Sequence, residues 1–506
     1  MTVTARDYED GLRFSRAGRH ADAIGCYERA LVRSPDDSRV LFALGNTARA
    51  LGMPRPAEDF YRRVLALEPG RIEALVNLAN LLRGTGQFET ALALLDPAVV
   101  RNPECPELWL SLGSVRRENG QKDEARECYD RALDLNPGYA AALSNLADLE
   151  AEAGHREAAL ALYDRALKRE PHNAQAKLNR AMLHLESGNL ADGWRDYAAR
   201  LKIPGKAPVC DHKLPRWSGG SLKRIRLLVT AEQGVGDELM FASILPDLAR
   251  RAAQDGGSIV LECDPRLGPL FSRSFPQIMV HGSDSATING AVAHRYGWLK
   301  QMGGANAAIE IGSLPRHFRV APSDFPAPNA YLIPDRQEAD NWRGQFASHG
   351  PRPLIGISWR SGKTGGARAA QYAPLQAWAD FLRDLPGTIV RTQYDATSDE
   401  LAALEAASGR RIAVPTDLDQ KNELDRTCAM LSALDCIISA PTAVSWLAAG
   451  CGATVFKVLY DSSWTAFGQS HEPFAPSCRL MTPMRPGDWR SVFEKTAAEI
   501  RSLRAG

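Results

Sequence analysis

The chain has 506 residues, more than one hydrophobic core can organise, so about two to four domains are expected. Its 61 basic and 60 acidic residues leave a formal charge of +1, which gives no electrostatic reason to expect a nucleic acid or an anionic membrane as partner. The nine cysteines include no Cys-x-x-Cys pair, which argues against a disulfide framework or a zinc site and favours a reducing compartment.

The first residues, MTVTARDYEDGLRF, carry acidic side chains where a secretory signal needs a basic start and an apolar centre, so a cytoplasmic protein is expected. An uncharged stretch at 436–456 is long enough to cross a bilayer. It is interrupted by Ser-Ala-Pro-Thr at 439–442 and by Gly-Cys-Gly at 450–452. These breaks favour a buried strand, loop, helix and strand, and no membrane span is expected.

A 34-residue period runs through about the first 200 residues. Small residues in fixed phase allow paired helices to approach, and a recurring aromatic ring fills the space between them. Glycine serves the turn within each pair, and proline ends the second helix. The recurring glycines are Gly18, Gly52, Gly86, Gly120, Gly154 and Gly188, and the prolines are Pro35, Pro69, Pro103, Pro137 and Pro171. The pattern resembles the tetratricopeptide repeat, and the irregular sixth unit is expected to cap the stack and abut the next domain.

Asparagine occupies one slot of this repeat in three of the six units, at Asn77, Asn145 and Asn179. On the concave face of such a stack, an asparagine offers a donor and an acceptor to the backbone of an extended peptide. We therefore predict a peptide-binding groove, with solvated helix asparagines as the alternative.

After Leu201 the period stops, and short β-branched runs alternate with helices, which is typical of parallel α/β layers. Four regions are predicted: a repeat solenoid at 1–202, a linker at 203–222, a first Rossmann-like half at 223–335 and a second at 336–506. The linker contains an aromatic anchor at Trp217. Two such halves with a cleft between them form a GT-B arrangement.

Particular elements are predicted within each half. In the first, strands at 225–229 and 258–262 flank a helix from Asp237 to about Arg251. In the second, strands are predicted at 354–359, 388–391, 411–414, 436–438 and 453–458, and helices at 421–433 and 441–449.

A glycine turn at Gly234 and Gly236 follows the first strand of the first half. Such a turn brings backbone N–H groups and a helix N-terminus up to a ligand. Leu239 stands where a dinucleotide fingerprint needs glycine or alanine, so a dinucleotide site with Glu262 on the ribose is disfavoured. Asp237 is predicted to cap the helix, and its carboxylate is the candidate general base toward an acceptor hydroxyl.

Two segments in the second half follow the ends of buried strands, where ligands bind in open α/β folds. The first is a basic loop, with Ser358, Arg360, Gly362 and Lys363 predicted to hold donor phosphates. The second is a helix start that offers hydroxyls and free N–H groups to an anion. Its predicted donor-binding residues are Ser439, Thr442, Ala443, Val444 and Ser445. A solvated loop and a well-capped structural helix are the alternatives.

The ordered set of motifs resembles bacterial tetratricopeptide glycosyltransferases. The motifs are PRWSGGSL at 215–222, EQGVGD at 232–237, GISWRSG at 356–362, Gln393-Tyr394, LDCIISAPTA at 434–443 and PGDW at 486–489. The catalytic half is similar to the bacterial heptosyltransferases and, more distantly, to O-GlcNAc transferase, which carries a similar asparagine ladder. The resemblance implies an inverting, metal-independent GT-B enzyme that takes a sugar-nucleotide donor and needs no cofactor.

Residue by residue, the resemblance implies that Lys363 and the helix start from Thr442 to Ser445 hold the donor phosphates, with Gln393 also at the donor site. Asp237 lies where the heptosyltransferases keep their candidate base. Those enzymes place a histidine near the donor-binding helix start, where this chain has Ser445-Trp446, so the identity of the donor stays open.

The expected function is transfer of a sugar to Ser or Thr of a protein that the repeats recruit. In layout the chain resembles bacterial flagellin-modifying enzymes, which implies flagellin as the acceptor and a nonulosonic acid as the sugar. The alternative is a non-catalytic adaptor whose α/β half has lost its chemistry. A nicotinamide-dependent oxidoreductase is disfavoured by Leu239.

Overall fold

The computed structural model describes residues 3–232, 234–288, 291–325, 330–362 and 371–502. The chain divides into two compact units, Met1–Ala176 and Lys177–Gly506. The boundary lies inside the first helix of the sixth repeat instead of at residue 202, because the last helix of that repeat packs within the second unit.

In the described part of the amino-terminal region, twelve helices form the predicted tetratricopeptide solenoid. They are α1 (Val3–Arg16), α2 (His20–Arg33), α3 (Ser38–Ala50), α4 (Pro54–Leu67), α5 (Ile72–Gly84), α6 (Phe88–Arg101), α7 (Pro106–Glu118), α8 (Lys122–Leu135), α9 (Ala140–Glu152), α10 (Arg156–Arg169), α11 (Ala174–Glu186) and α12 (Leu190–Tyr197). Each of the six recurring glycines lies in the turn within a helix pair, with φ between 68° and 86°, a region that glycine adopts without strain.

The small residues of the repeat are required by the tyrosines. A Cβ atom on Gly45 would lie 2.6 Å from the ring of Tyr61, which is fully buried. The same relation joins Gly11 to Tyr27. The predicted role of the 34-residue pattern in helix packing is therefore confirmed.

Within its described residues, the second unit contains two parallel sheets and one small mixed sheet. The strands are β1 (Val209–Cys210), β2 (Arg226–Thr230), β3 (Ser258–Cys263), β4 (Met279–Gly282), β5 (Asp284–Ile288), β6 (Ala291–Arg295), β7 (Ala307–Glu310), β8 (Leu354–Ser358), β9 (Thr388–Arg391), β10 (Ile412–Ala413), β11 (Cys436–Ser439), β12 (Val455–Val458) and β13 (Cys478–Met481). The first parallel sheet has the order β4-β3-β2-β7, and the second has the order β10-β9-β8-β11-β12-β13. In both, the chain order reverses beside the earliest strand, and we call these places the first switch point (β2 and β7) and the second switch point (β8 and β11).

Helices cover the sheets. They are α13 (Val235–Ala242), α14 (Leu245–Asp255), α15 (Gly268–Ser274), α16 (Pro315–Phe318), α17 (Arg336–Ala347), α18 (Leu375–Arg383), α19 (Ser398–Ser408), α20 (Leu424–Ser432), α21 (Ala443–Gly450) and α22 (Trp489–Ser502). The prediction of one helix from Asp237 to Arg251 is wrong: α13 ends at Ala242, and α14 begins with Pro246 in its first turn. Proline is accepted there because it lacks the N–H that an interior helical position must donate.

The uncharged stretch at 436–456 forms β11, α21 and β12, as predicted. Among the described residues, no helix combines the length and the apolar character needed to cross a bilayer.

The predicted linker is built into the first half. Its strand β1 pairs with β6, and the Trp217 backbone N–H donates to the carbonyl oxygen of Ala308 in β7 at 2.8 Å. The Trp217 side chain is buried, so the aromatic anchor is confirmed.

Candidate functional site

The carboxyl ends of β8 and β11 lie side by side at the second switch point. Ser358 and Ser439, the last residues of the two strands, are paired, and the Ala440 N–H donates to the Ser358 carbonyl oxygen at 2.7 Å. The structure therefore brings together the loop near residue 360 and the helix that follows β11. In open α/β sheets, ligands bind in the crevice that forms beyond such a switch point.

Gln393 organises the loop after β8. Its Oε1 accepts hydrogen bonds from the Trp359 N–H at 2.9 Å and the Arg360 N–H at 3.0 Å, and its Nε2 donates to Asp395 Oδ1 at 2.6 Å. Gln393 and Ser358 are both completely buried. These two predicted donor-binding residues therefore shape the loop from beneath, and direct contact between them and a donor stays a prediction.

The Arg360 guanidinium is bound by two carboxylates of its own chain. Nε and Nη2 each lie 2.7 Å from Glu400, and Nη1 lies 2.9 Å from Asp395. The hydrogen bond from Arg360 lowers the pKa of Glu400 to about 2. A phosphate at Arg360 would have to compete with these carboxylates, so its predicted role at the donor requires an exchange of partners.

Gly362 and Lys363 complete the predicted loop. The Gly362 N–H donates to the Tyr394 hydroxyl at 2.7 Å, and a Cβ atom on Gly362 would lie 2.6 Å from that oxygen. Glycine is thus required where the loop passes Tyr394. Lys363 lies outside the described residues.

The predicted donor-binding residues at the start of α21 fall into two groups, one buried and one partly exposed. Ser439 and Ser445 are completely buried, and their hydroxyls donate to the carbonyl oxygens of Ala440 and Thr442, both at 2.7 Å. Val444 is also buried. Thr442, the N-cap residue, and Ala443 are partly exposed. These last two positions are the ones that a ligand can reach.

The glycine turn of the first half meets this helix start. A Cβ atom on Gly236 would lie 3.7 Å from both Ala443 Cα and Trp446 Cδ1. The N-cap of α13 is Gly234, and Asp237 is the third helical residue, so the prediction that Asp237 caps the helix is wrong. The first turns of two eight-residue helices are therefore neighbours. Because each helix N-terminus carries partial positive charge, both favour an anion at this junction.

Two carboxyl groups at the start of α13 have raised pKa values. Burial raises the pKa of Asp237 to about 6, against a hydrogen bond from the Gly234 N–H that lowers it. Burial raises the pKa of Glu238 to about 8, and its Oε2 accepts a hydrogen bond from the Asp264 N–H at 2.8 Å. At neutral pH, Asp237 is mostly ionised and Glu238 is mostly protonated. Asp237 therefore has the proton affinity that suits a general base.

Sequence reasoning missed a buried ion pair behind α21. Lys457, in β12, donates from Nζ to Glu472 Oε1 at 2.6 Å, and its Nζ lies 3.9 Å from the centre of the Trp446 ring. A lysine inside the apolar strand Val455–Val458 is the signal that could have revealed it. Trp446 is thus held between Lys457 and the glycine turn.

The first switch point is occupied by side chains of the protein itself. Arg200 donates from Nη2 to Glu232 Oε1 at 2.6 Å and from Nε to Oε2 at 3.1 Å, with both side chains buried. Glu232 Oε1 also accepts from the Gly312 N–H at 2.8 Å. Arg200 lies just after α12, so it attaches the sixth repeat to the first half.

An aromatic cluster also attaches the sixth repeat to the α/β region. Trp194, in α12, donates from its indole N–H to the Arg319 carbonyl oxygen at 2.8 Å. Its ring packs edge-on against Phe467 and Phe474, at centroid distances of 5.7 Å and 6.3 Å. The expectation that the sixth repeat abuts the α/β region is confirmed.

Glu262, the residue assigned to a ribose in the disfavoured dinucleotide hypothesis, is completely buried. Its Oε2 accepts hydrogen bonds from the Tyr296 hydroxyl at 2.7 Å and the Ala231 N–H at 3.2 Å. The carboxylate thus links strand ends inside the first half.

Two of the repeat asparagines form hydrogen bonds between successive helix pairs. Asn77 Nδ2 donates to Asn46 Oδ1 at 2.9 Å, and Asn145 Nδ2 donates to Ser114 Oγ at 3.1 Å. Each bond reaches the first helix of the preceding pair. Asn179 lies on α11 in the second unit, whereas the other two belong to the first. Part of the amide is therefore already engaged at Asn77 and Asn145, and peptide binding stays a prediction.

Comparison with known proteins supports the repeat assignment. Residues 8–72, 76–143 and 144–208 match the family model described as tetratricopeptide repeat. Protein FlbA of Caulobacter vibrioides is 32% identical over 319 residues, which cover 62% of this chain and 53% of that protein. The match therefore spans about half the length of this curated relative.

Several solved structures are similar to part of this chain. A thermophilic TPR protein of Thermus thermophilus is 28% identical and covers 36% of this chain and 99% of its own, with a TM-score of 0.32. MamA is 24% identical over 34% of this chain and 94% of its own, with a TM-score of 0.29. PilW, a type IV pilus biogenesis factor, is 19% identical over 40% of this chain and 92% of its own, with a TM-score of 0.35.

Proposed function

We propose that the second unit is a GT-B glycosyltransferase that moves a sugar from a nucleotide donor to Ser or Thr of a protein acceptor. The observation that supports the proposal best is the junction at the second switch point. There the partly exposed start of α21 meets Gly236 in the first turn of α13. Two helix N-termini and a pair of strand ends form a suitable surface for the phosphate of a sugar nucleotide.

The chemistry follows from these positions. Backbone N–H groups at Thr442 and Ala443, with Lys363 as the proposed basic partner, would hold the donor phosphate. The acceptor oxygen attacks the anomeric carbon, and the bond from that carbon to the phosphate oxygen breaks, with its electron pair leaving on the phosphate. The acceptor proton passes to Asp237, whose pKa is raised to about 6 by burial. Positioning and stabilisation of the leaving phosphate supply most of the rate.

The repeats would recruit the acceptor. Flagellin is our candidate because the motifs of the sequence resemble the flagellin-modifying tetratricopeptide enzymes, and a nonulosonic acid is the corresponding sugar. Comparing the intact mass of flagellin from cells with and without this gene tests this part. An unchanged mass would remove flagellin as the acceptor and leave the transferase proposal in place.

A charge reversal at the N-cap of α21 tests the donor site. Thr442 is the N-cap residue of α21 but makes no side-chain cap hydrogen bond, so neither variant removes one. Thr442→Asp adds a negative charge at this position, whereas Thr442→Asn stays neutral, and both residue types are favoured at an N-cap. With a panel of sugar nucleotides in calorimetry, we expect Thr442→Asp to weaken donor binding by more than about tenfold. Thr442→Asn should stay within about threefold of the unmodified protein, because it adds no charge. Equal binding by the two variants would contradict a phosphate at this helix start.

One observation favours the adaptor as second candidate. The Arg360 guanidinium is already paired with Glu400 and Asp395, as in a loop that has lost its ligand. Under this alternative, no sugar nucleotide of the panel binds or is hydrolysed, while the repeats still bind their partner.

A further inference from the structure

A small cavity lies between the linker motif at 215–222 and α16. Its volume is about 260 Å³, and its wall includes Arg216 and Trp217 from the motif and Arg316 and His317 from α16. None of its described lining residues belongs to the proposed donor site. The volume is just below the range of about 300–1,000 Å³ that is usual for drug-sized ligands, so the cavity suits one small molecule.

The wall of this cavity is basic. Arg200, Arg216 and Arg316 line it, and no carboxylate is among its described lining residues. Arg200 is paired with Glu232, and Arg216 is paired with Glu310 at 2.7 Å. Arg316 is exposed, and within the part of the chain that the structure describes it forms no ion pair. The cavity therefore presents one guanidinium whose charge no carboxylate balances.

Arg216 has donors that its internal partners do not use. Its Nη2 donates to Glu310 Oε2 at 2.7 Å and to Ser313 Oγ at 3.0 Å, and these are the side-chain hydrogen bonds that Arg216 makes among the described residues. The side chain is about half exposed, at 49%. Nε and Nη1 of Arg216 are therefore available to an anion, together with the guanidinium of Arg316.

The ring of His317 reports the positive potential of the cavity wall. It packs against Trp217 with the ring centres 5.1 Å apart. Burial lowers the pKa of His317, and the positive charges of Arg316, Arg216 and Arg251 lower it further. Three guanidiniums are thus close enough to act on one ring. Such a concentration of positive charge favours a dianion over a monoanion.

We propose that this cavity binds the phosphate group of a small phosphorylated molecule. Arg316 and the free donors of Arg216 bind the phosphate oxygens, and the indoles of Trp194 and Trp217, which also line the cavity, pack against the rest of the molecule. A phosphate monoester offers three terminal oxygens and up to two negative charges, so it uses more of these donors than a carboxylate does. The site goes beyond the proposed sugar transfer, since an adaptor would carry it equally.

Substitutions at Arg316 test the site. Arg316→Gln removes the unbalanced charge at an exposed position where no described ion pair is broken. Arg316→Lys keeps the charge but loses the planar fork of the guanidinium. Arg295→Gln is the matched control, because Arg295 is also an exposed arginine of the first half and does not line the cavity.

The probes are phenyl phosphate, benzoate and inorganic phosphate, in calorimetric titrations of the full chain at neutral pH and low salt. We expect phenyl phosphate to bind at least about tenfold more tightly than benzoate, which carries a carboxylate on the same ring. Arg316→Gln should weaken phenyl phosphate binding by about tenfold or more, and Arg316→Lys by less. Arg295→Gln should stay within about twofold of the unmodified protein. Inorganic phosphate should bind more weakly than phenyl phosphate, because it leaves the indoles uncovered.

The donor-site variant Thr442→Asp separates this proposal from the proposed function. It should leave phenyl phosphate binding within about twofold, and Arg316→Gln should leave sugar-nucleotide binding within about twofold. Thermal melting of each variant separates loss of binding from loss of folding.

Four outcomes would overturn the proposal. The first two are no binding of phenyl phosphate by the unmodified protein and an equal loss in Arg316→Gln and Arg295→Gln. The third is loss of phenyl phosphate binding in Thr442→Asp, which would place the phosphate at the donor site. The fourth is binding of benzoate or inorganic phosphate as tight as that of phenyl phosphate, which would assign the cavity to a carboxylate or to a free ion.

Discussion

The two parallel sheets of the second unit share the arrangement of their first four strands but end in different surroundings. At the first switch point, Glu232 is buried against Arg200 and the Gly312 N–H. At the second, the strand ends lead to the partly exposed Thr442 and Ala443. One switch point has become an internal joint, whereas the other keeps a surface that a ligand can reach. The same topology can thus serve cohesion or binding, depending on which side chains follow the strands.

The largest expected effect is at the internal joint. Arg200→Ala would leave Glu232 buried without a countercharge, so we expect a loss of about 3–5 kcal/mol in the free energy of unfolding. Denaturant titration measures it. Arg195→Ala is the control, because Arg195 forms a surface ion pair with Asp192 and should change stability by less than about 1 kcal/mol. A similar loss of unfolding free energy in both variants would contradict the expected difference between the buried ion pair and the surface ion pair.

Glu238 gives a smaller, pH-dependent effect. Its pKa is raised by burial to about 8 in the folded protein, so the folded state binds the proton more tightly than the unfolded chain does. The stability of the unmodified protein should therefore fall as pH rises from about 4.5 to about 8. Glu238→Gln removes this slope, and at pH 9 it should be more stable than the unmodified protein by about 2–4 kcal/mol. Urea titrations at several pH values test whether the free energy of unfolding falls as pH rises.

Asp237 is expected to combine a modest stability effect with a large functional one. Because its pKa is raised to about 6, Asp237→Asn should stabilise the protein above pH 6 by up to about 3 kcal/mol. If Asp237 is the base, the same change should lower sugar transfer by about 100-fold or more. Transfer by the unmodified protein should decline as pH falls below about 6, with half the rate near the pKa. A variant with normal transfer would exclude this role.

The smallest expected change in stability is at the second switch point. The Thr442 side chain makes no cap hydrogen bond, so Thr442→Asn removes none, and the free energy of unfolding should shift by less than about 0.5 kcal/mol. A loss comparable to that of Arg200→Ala would show that both switch points are structural.

Much of the fold could be predicted because its signals are local. Gly45 and Tyr61 belong to neighbouring helices of one pair, and the 34-residue spacing repeats the same contact along the chain. Buried strands such as Thr388–Arg391 also appear directly in the sequence, as short runs of β-branched residues between helices. The break between α13 and α14 was missed although Pro246 is visible, because a proline in the first turn and one that ends a helix look alike in sequence.

The site was less predictable because its contacts join distant positions. Gln393 meets Arg360 across 33 residues, and Arg200 meets Glu232 across 32. Neither separation follows from the periodicity of a helix, a strand or the repeat. The sequence can therefore indicate that such a residue is functional, but it does not indicate which distant residue it contacts. Asp237 is a residue type that favours the N-cap, but the structure places Gly234 at the cap and Asp237 in the first turn of α13.

The joint made by Arg200 and Trp194 also limits how this protein can be divided or recombined. A gene fragment that begins after residue 202 would lack both side chains, leaving Glu232 buried without its countercharge and the aromatic pocket unfilled. A fragment of the α/β region that folds should instead begin before α11. Exchange of repeats among relatives would accordingly be expected to spare the last helix pair, whose final helix packs with the α/β region.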